Sequence, residues 1–384
     1  FVRLGIPREV TPGETRVSIV PETVGKLVKA GHQVAVETGA GTVSSNTDDA
    51  YRQAGATIAP GPRETYEGAQ VVVKVREPVS HPALGAHEAD LVPSGAVFIA
   101  FLGRDAGSEA VKRLATRGVT AFSMEMIPRT SRAQKLDALS SMANIAGYKA
   151  ALIAANALPR YFPLLMTAAG TIPPARAFIL GAGVAGLQAI ATCRRLGAQV
   201  EAFDVRPAVK EEVQSLGATF VGLELGDAGV GAGGYAKELS EEHHKKEQAL
   251  IAQRLQAADV AITTAAIPGR KAPLLITRAM VESMKPGSVI VDLAAETGGN
   301  CELTRPNETV EHHGVRIFGM VNVAALMPFH ASQLYSRNVH ALLQLMVTKE
   351  GELKLDWEDD IIRDSCIHRP QAAAASAAPA GRAS

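Results

Sequence analysis

The stretch ARAFILGAGVAGLQAIATCRRLGAQVEAFDVRP, residues 175–207, decides the fold. A short apolar run leads into Gly181-x-Gly183-x-x-Gly186, an apolar helical pattern follows, and a second strand-like run ends on Asp204, 23 residues after the first glycine. Such a glycine string alone often marks a plain turn; strand, helix and acid in register point to dinucleotide binding. Gly181 permits the tight turn, Gly183 lets backbone approach a pyrophosphate, and Gly186 lets the helix lie close to the sheet. Asp204 falls where a carboxylate accepts hydrogen bonds from the adenosine ribose hydroxyls and repels a 2′-phosphate, which favours NAD(H) over NADP(H). Arg206 is the counter-signal, since an arginine there can serve a 2′-phosphate; an acid already at the ribose position makes that the weaker reading.

Working outward, the same alternation recurs. VRLGIP, HQVAVETG, AQVVVKV, GAVFIAF and GVTAFSME precede the motif, with PETVGKLVKAG as a helical pattern among them; ATFVGL, ADVAITTAA, GSVIVDL and VRIFGM follow it. This is the signature of parallel βαβ units. A length of 384 residues with 47 % hydrophobic content supports two cores. The fold class expected is α/β, two Rossmann-like doubly wound parallel-sheet domains linked by long helices. Residues 136–160 read as one helix up to Pro159, and ASQLYSRNVHALLQLMV reads as a second that crosses back to the first domain. The expected boundaries are 1–135 with 330–366, then 136–329, with an Ala/Pro-rich tail at 367–384.

Composition excludes several classes. Lys plus Arg and Asp plus Glu both number 39, and no basic stripe carries interleaved aromatics, so nucleic acid is not an expected partner. Cys193, Cys301 and Cys366 form no CxxC pair, which suits free thiols in a reducing compartment. The pairs His243-His244 and His312-His313 lack metal-ligand spacing and read as solvated surface residues. No 18-residue apolar run occurs, because Lys149, Pro159, Arg160 and Pro163 interrupt residues 144–170; direct membrane insertion is not expected. The chain starts at Phe1 without a signal-peptide pattern, so its start is read as trimmed or incomplete. GxSxG and GxxxxGK[ST] are absent, which disfavours a hydrolase and a P-loop NTPase.

Two segments hold chemistry without an obvious catalyst. IPRTSRAQKLDALSS, residues 127–141, crowds donors and acceptors into a short turn with no His, Cys or Tyr. One reading is a polar turn with Thr130 or Ser131 capping a helix that begins near Lys135; the other is a positioning loop for a ligand. GDAGVGAGGY, residues 226–235, carries five glycines and reads either as a surface excursion or as a lid with Tyr235 as its apolar contact.

MTAAGTIPPARAFILGAGVAGLQAIATCRRLGA, SRAQKLDALSS, AGGYAKE, AITTAAIPGRKAPLLI and VDLAAETGGNC together resemble the NAD(H)-binding component of the proton-translocating nicotinamide nucleotide transhydrogenases, from GIPREVTPGETRVSIVPE to about residue 350. The resemblance implies a peripheral homodimer that binds NAD(H) and is partnered by an NADP(H)-binding component and a membrane proton-channel component. It implies a cytoplasmic location, peripheral on the inner membrane, and the split arrangement in which this component is its own polypeptide. It also implies sites. Arg129, Gln134, Asp137 and Ser140 would surround the nicotinamide and its ribose, with Thr130, Ser131 and Arg132 in the same cofactor-binding loop. Val184 and Asp204, Val205 and Arg206 would meet the pyrophosphate and adenosine, Gly234 and Tyr235 would form the mobile loop, and Ala265 and Ala266 would sit at a strand end beside the ligand.

Alanine dehydrogenase resembles the chain too, and proton chemistry separates the two readings. Amino-acid oxidation needs a base; the residues implied for it are Arg16, kept here, then Arg76 in place of a lysine, Gly103 in place of a histidine and Glu296 in place of an aspartate. Arginine cannot shuttle protons near neutral pH. Hydride transfer between two nicotinamides needs only geometry and exclusion of water, for which an amide such as Gln134, never titrating, is suited. A non-catalytic NAD-binding module is the third reading.

Overall fold

The computed structural model describes residues 1–223, 241–267, 269–348 and 350–370. The chain divides into two compact units, Phe1–Ala138 with Tyr335 onward, and Leu139–Leu334.

The first unit contains β1 (Arg3–Ile6), α1 (Pro21–Lys29), β2 (Gln33–Glu37), α2 (Asp48–Gln53), β3 (Thr57–Ala59), α3 (Pro62–Tyr66), β4 (Val71–Val73), β5 (Val97–Ala100), α4 (Glu109–Thr116) and β6 (Thr120–Ser123). The second begins with α5 (Ala138–Ala157) and continues through β7 (Leu165–Thr167), β8 (Gly170–Ile172), β9 (Arg176–Leu180), α6 (Val184–Arg195), β10 (Gln199–Phe203), α7 (Lys210–Ser215) and β11 (Thr219–Val221). Then come α8 (Glu241–Ala257), β12 (Val260–Thr263), α9 (Arg278–Glu282), β13 (Val289–Asp292), β14 (Thr309–His312) and β15 (Val315–Gly319). Helix α10 (Pro328–Met346) carries the chain back, and α11 (Asp360–Ser365) with β16 (Cys366–His368) completes the first unit.

Each unit holds a seven-stranded sheet. The orders are β16-β6-β5-β4-β1-β2-β3 and β11-β10-β9-β12-β13-β15-β14. In both, the chain winds outward from a central strand in one direction and then restarts on its other side, which is the doubly wound pattern expected. Buried runs such as VVV in β4, VFIA in β5 and VAIT in β12 supply strands covered on both faces, as parallel sheets require. Strand periodicity splits the second unit's core: Ala177 and Ile179 join one apolar cluster, Phe178 and Leu180 the other.

Three details depart from the sequence reading. The helix expected over 136–160 forms as α5, Ala138–Ala157, ending ahead of Pro159, but a 3-10 turn, Ser131–Leu136, that the sequence did not announce precedes it. Each sheet closes with an antiparallel edge, β16 on β6 and β14 on β15. The pair β7–β8 forms a separate antiparallel hairpin. Among the described residues no helix is long and apolar enough to cross a membrane.

Candidate functional site

Register brings the glycine motif to one sheet edge. Leu180 ends β9 opposite Phe203 of β10 and Thr263 of β12, and Thr263 lies opposite Asp292 of β13. Gly181, Asp204, Thr264 and Ala265 therefore leave the carboxyl ends of adjacent strands together, at the point where the winding reverses.

Each glycine answers to a different constraint. Gly181 has φ +103, and a Cβ there would meet the Thr264 hydroxyl at 2.5 Å. A Cβ on Gly186 would lie 1.8 Å from the Gly181 carbonyl oxygen, so the helix seats directly on the turn. Gly183 differs: its φ is −77 and a Cβ would meet nothing within 4 Å. It is the N-cap of α6, and no side chain caps that end. The first-turn amides and the helix dipole face open space at the position where an anion is best bound. Val184, the first helical residue, is 42 % exposed there.

Asp204 is buried and tied to the turn. One carboxylate oxygen accepts from the Ala182 amide at 2.8 Å and from the Arg206 guanidinium at 2.8 Å. The other accepts from the Arg206 amide at 2.8 Å and Nε at 2.9 Å. Val205 lies between them, packed at the margin of the core. The sequence reading set Asp204 and Arg206 as rival signals; in the structure they are one ion pair. A ribose hydroxyl placed at Asp204 would share the carboxylate with Arg206, and a 2′-phosphate placed there would compete with Asp204 for the guanidinium.

The opposite wall of the edge is held by residues that sequence reasoning missed. The Thr264 hydroxyl donates to the Gly181 carbonyl at 3.0 Å. Fully buried Asn300 accepts from the Ala265 amide at 3.1 Å and donates to the carbonyls of Ala265 and Pro273, both at 2.8 Å. Ala265 is fixed on both sides of its peptide, and Ala266 is exposed beyond it. Gly147 in α5 is the other omission: a Cβ there would sit 2.0 Å from the Ala185 carbonyl, so α5 crosses the start of α6 at a distance only glycine allows. A lone glycine in a helical pattern was the available signal.

The polar loop belongs to the first unit. Thr130 stands at the N-cap of the 3-10 turn without a side-chain capping bond, and Asp137 ends it. Ala133 and Leu136 are buried anchors, whereas Arg129, Ser131 and Gln134 are exposed. Arg132 makes a forked pair with Asp359, at 2.7 and 2.8 Å, and also contacts Asp360. Asp359 in turn caps α11 by accepting from the Ile361 amide at 2.8 Å. Arg132, one of the expected cofactor contacts, also straps the loop to α11. Ser140 lies in the first turn of α5, in the second unit. Gly234 and Tyr235 lie outside the described residues.

Of the residues weighed for amino-acid oxidation, Arg16, Arg76 and Gly103 are already paired. Buried Arg16 forks onto Glu14 at 2.8 and 2.8 Å and lies 5.9 Å from the Phe101 ring centre; Arg76 Nε is 3.3 Å from the same carboxylate. Gly103 donates its amide to Glu125, a carboxyl that sequence reasoning missed. Burial raises the Glu125 pKa above the usual carboxylate range, opposed by the Gly103 amide and Ser123. A titratable group therefore does stand beside Gly103, committed to backbone. Lys74, fully buried, pairs with Glu88 at 2.5 Å and Glu9 at 3.6 Å, and burial pushes Glu9 up to about 7. Cys193 and Cys301 are free and buried, with thiols pushed up to about 12 and about 11, too high for thiolate chemistry.

Residues 5–146 match the family description "Alanine dehydrogenase/PNT, N-terminal domain", and residues 150–373 match "Alanine dehydrogenase/PNT, C-terminal domain". The chain is similar to the first portion of the divided NAD(P) transhydrogenase subunit alpha of Rhodospirillum rubrum, at 48 % identity over 96 % of each chain. It is more distantly similar to alanine dehydrogenase of Bacillus subtilis, at 32 % identity over 94 % of this chain and 89 % of that one. Among solved structures, transhydrogenase from Sinorhizobium meliloti superposes with a TM-score of 0.85 at 45 % identity, covering 96 % of this chain and 98 % of that chain.

Proposed function

The chain belongs to the alanine dehydrogenase/PNT family, and we propose that it is the NAD(H)-binding component of a proton-translocating transhydrogenase. It receives NADH at the edge formed by Gly181, Gly183, Asp204 and Ala265 and passes hydride to NADP+ held by a partner component. The observation that carries this reading is Gly183: an uncapped helix start whose missing side chain leaves room, flanked by glycines that the protein itself fills. The pyrophosphate lies against the amides of Val184 and its neighbours, and the adenosine ribose meets the Asp204–Arg206 pair.

The nicotinamide is the cofactor's own source and sink of hydride; the chain's residues bind, orient and exclude water. Arg129, Gln134, Asp137 and Ser140 hold the ring and its ribose, with Gln134 as the amide that donates and accepts without titrating. Thr130, Ser131 and Arg132 belong to the same cofactor-binding loop, and Ala266 borders the ligand. Against amino-acid oxidation stands Gly103, which offers no side chain, and the commitment of Arg16 and Arg76 to Glu14.

The complex further comprises a homodimer of this chain and a membrane component that conducts protons, placing the chain peripherally on the cytoplasmic side of the inner membrane. The homodimer is supported by the β7–β8 hairpin, which leaves Met166 79 % and Ile172 41 % exposed on a two-stranded element too small to be stable alone. Calorimetry on the isolated chain tests the nucleotide assignment: NADH binds and NADPH binds far more weakly, whereas tight NADPH binding overturns it.

A further inference from the structure

Among the described residues, one group of three side chains of metal-ligating type converges: Glu282, His312 and His313. Their ligand atoms all lie within 4.8 Å of one another. In the sequence, the adjacency of the two histidines, without the three- or four-residue spacing of metal ligands, argued against a metal. The structure removes that objection. His312 is the last residue of β14, paired across the edge with Val315, so His313 and Gly314 are the two central residues of a tight hairpin turn. His313 takes φ +50 and Gly314 φ +72. The turn swings the second imidazole back toward the first, with ring centres 4.8 Å apart. Glu282, the last residue of α9, comes from a different segment and already holds His312 Nε2 at 2.8 Å.

We propose that Glu282, His312 and His313 form a zinc site at the β14–β15 edge of the second unit, with three protein ligands and water completing the shell. Two imidazoles and one carboxylate suit zinc rather than magnesium or calcium, which take oxygen ligands. Zinc bonds of about 2.0–2.2 Å put tetrahedral ligand atoms about 3.3 Å apart, and the present set already lies within 4.8 Å. The Glu282–His312 bond preorders two of the three ligands. A left-handed backbone at His313 costs about 1–2 kcal/mol, where asparagine or glycine serves a hairpin turn as well; a ligand role gives the histidine a reason to be there. The ion would clip the edge hairpin to α9, away from the carboxyl-end edge that carries the dinucleotide motif.

The test is a zinc titration of the full chain by calorimetry, repeated with cobalt(II) and read in the visible spectrum. The wild type takes one equivalent, and cobalt gives the strong absorption of a four-coordinate site. His313→Ala and Glu282→Gln each weaken binding by about tenfold or more, a ligand mattering at least as much as its outer-shell support. Glu282→Gln keeps a hydrogen bond to His312, so its fold is preserved while a ligand is lost. Exposed His330→Ala, remote from the cluster in sequence, leaves binding unchanged. Equal affinity in all four proteins means adventitious surface binding only, and that result, or no binding at all, overturns the proposal.

Discussion

Replacing Gly183 by alanine separates a ligand constraint from a folding one. The added methyl meets no protein atom within 4 Å and the residue's φ is −77, so the native backbone accepts it. The cost is that of alanine at a helix N-cap, at most about 1 kcal/mol. In a unit of this size that lowers the melting temperature by no more than about 4 °C. If a pyrophosphate lies against the first-turn amides, the methyl pushes it off. Loss of one hydrogen bond to a charged group, about 1.5–3 kcal/mol, raises the NADH Kd by about 10- to 100-fold. Gly186→Ala is the contrast. Its methyl would lie 1.8 Å from the Gly181 carbonyl oxygen, against ordinary contact at 3.4–4 Å, so helix or turn must move. That overpacking costs about 1–3 kcal/mol or more and appears as a falling melting temperature before any nucleotide is added. Scanning calorimetry and NADH titration of both variants decide the matter. Wild-type NADH affinity in Gly183→Ala refutes the placement of the pyrophosphate; a Gly183→Ala melting temperature as low as that of Gly186→Ala refutes the reading of the open cap.

Other outcomes follow from the same geometry. Gln134→Asn withdraws the amide by one methylene, and a displacement of about 1 Å is enough to slow hydride transfer about 100-fold while NADH affinity stays within a few fold; stopped-flow transfer rates check it, and lost affinity with an unchanged rate removes Gln134 from the reactive geometry. Asp204→Ala weakens NADH binding and relaxes discrimination against NADPH, and because Asp204 also holds the Ala182 amide it costs about 1–3 kcal/mol of stability; unchanged selectivity in a nucleotide titration contradicts its ribose role. Arg132 holds the Asp359 carboxyl down at about 2 from its ordinary 3.8, so the strap's contribution is present above 3.8 and lost as pH falls through about 2. Urea melts of Asp359→Asn against wild type therefore converge over that window, from a small difference because the pair is exposed; divergence at low pH contradicts the strap.

Much of the fold was legible because it rests on local pattern. Continuous apolar runs announced buried parallel strands, and Gly181, Gly186 and Asp204 fell into register because strand ends fix them. What escaped depends on partners distant in sequence. Arg132 meets Asp359 across 227 residues, and nothing near Arg132 indicates that its fork is taken. Glu125 is a lone acid just beyond β6 until folding brings the Gly103 amide to it. Asn300 looks like part of a glycine-rich turn, and only the strand order shows that it clamps Ala265. The helix expected over 136–160 was legible from its spacing and forms as α5, whereas the 3-10 turn at Ser131–Leu136 ahead of it carries only Ala133 and Leu136, three apart, as an apolar signal.

Mixing this chain with an NADP(H)-binding component and following hydride transfer between NADPH and acetylpyridine-NAD+ by absorbance tests the proposed function itself. Transfer is expected only when both proteins are present, and this chain alone is expected to form no NADH from alanine and NAD+. Alanine-dependent reduction of NAD+ without a partner would contradict it.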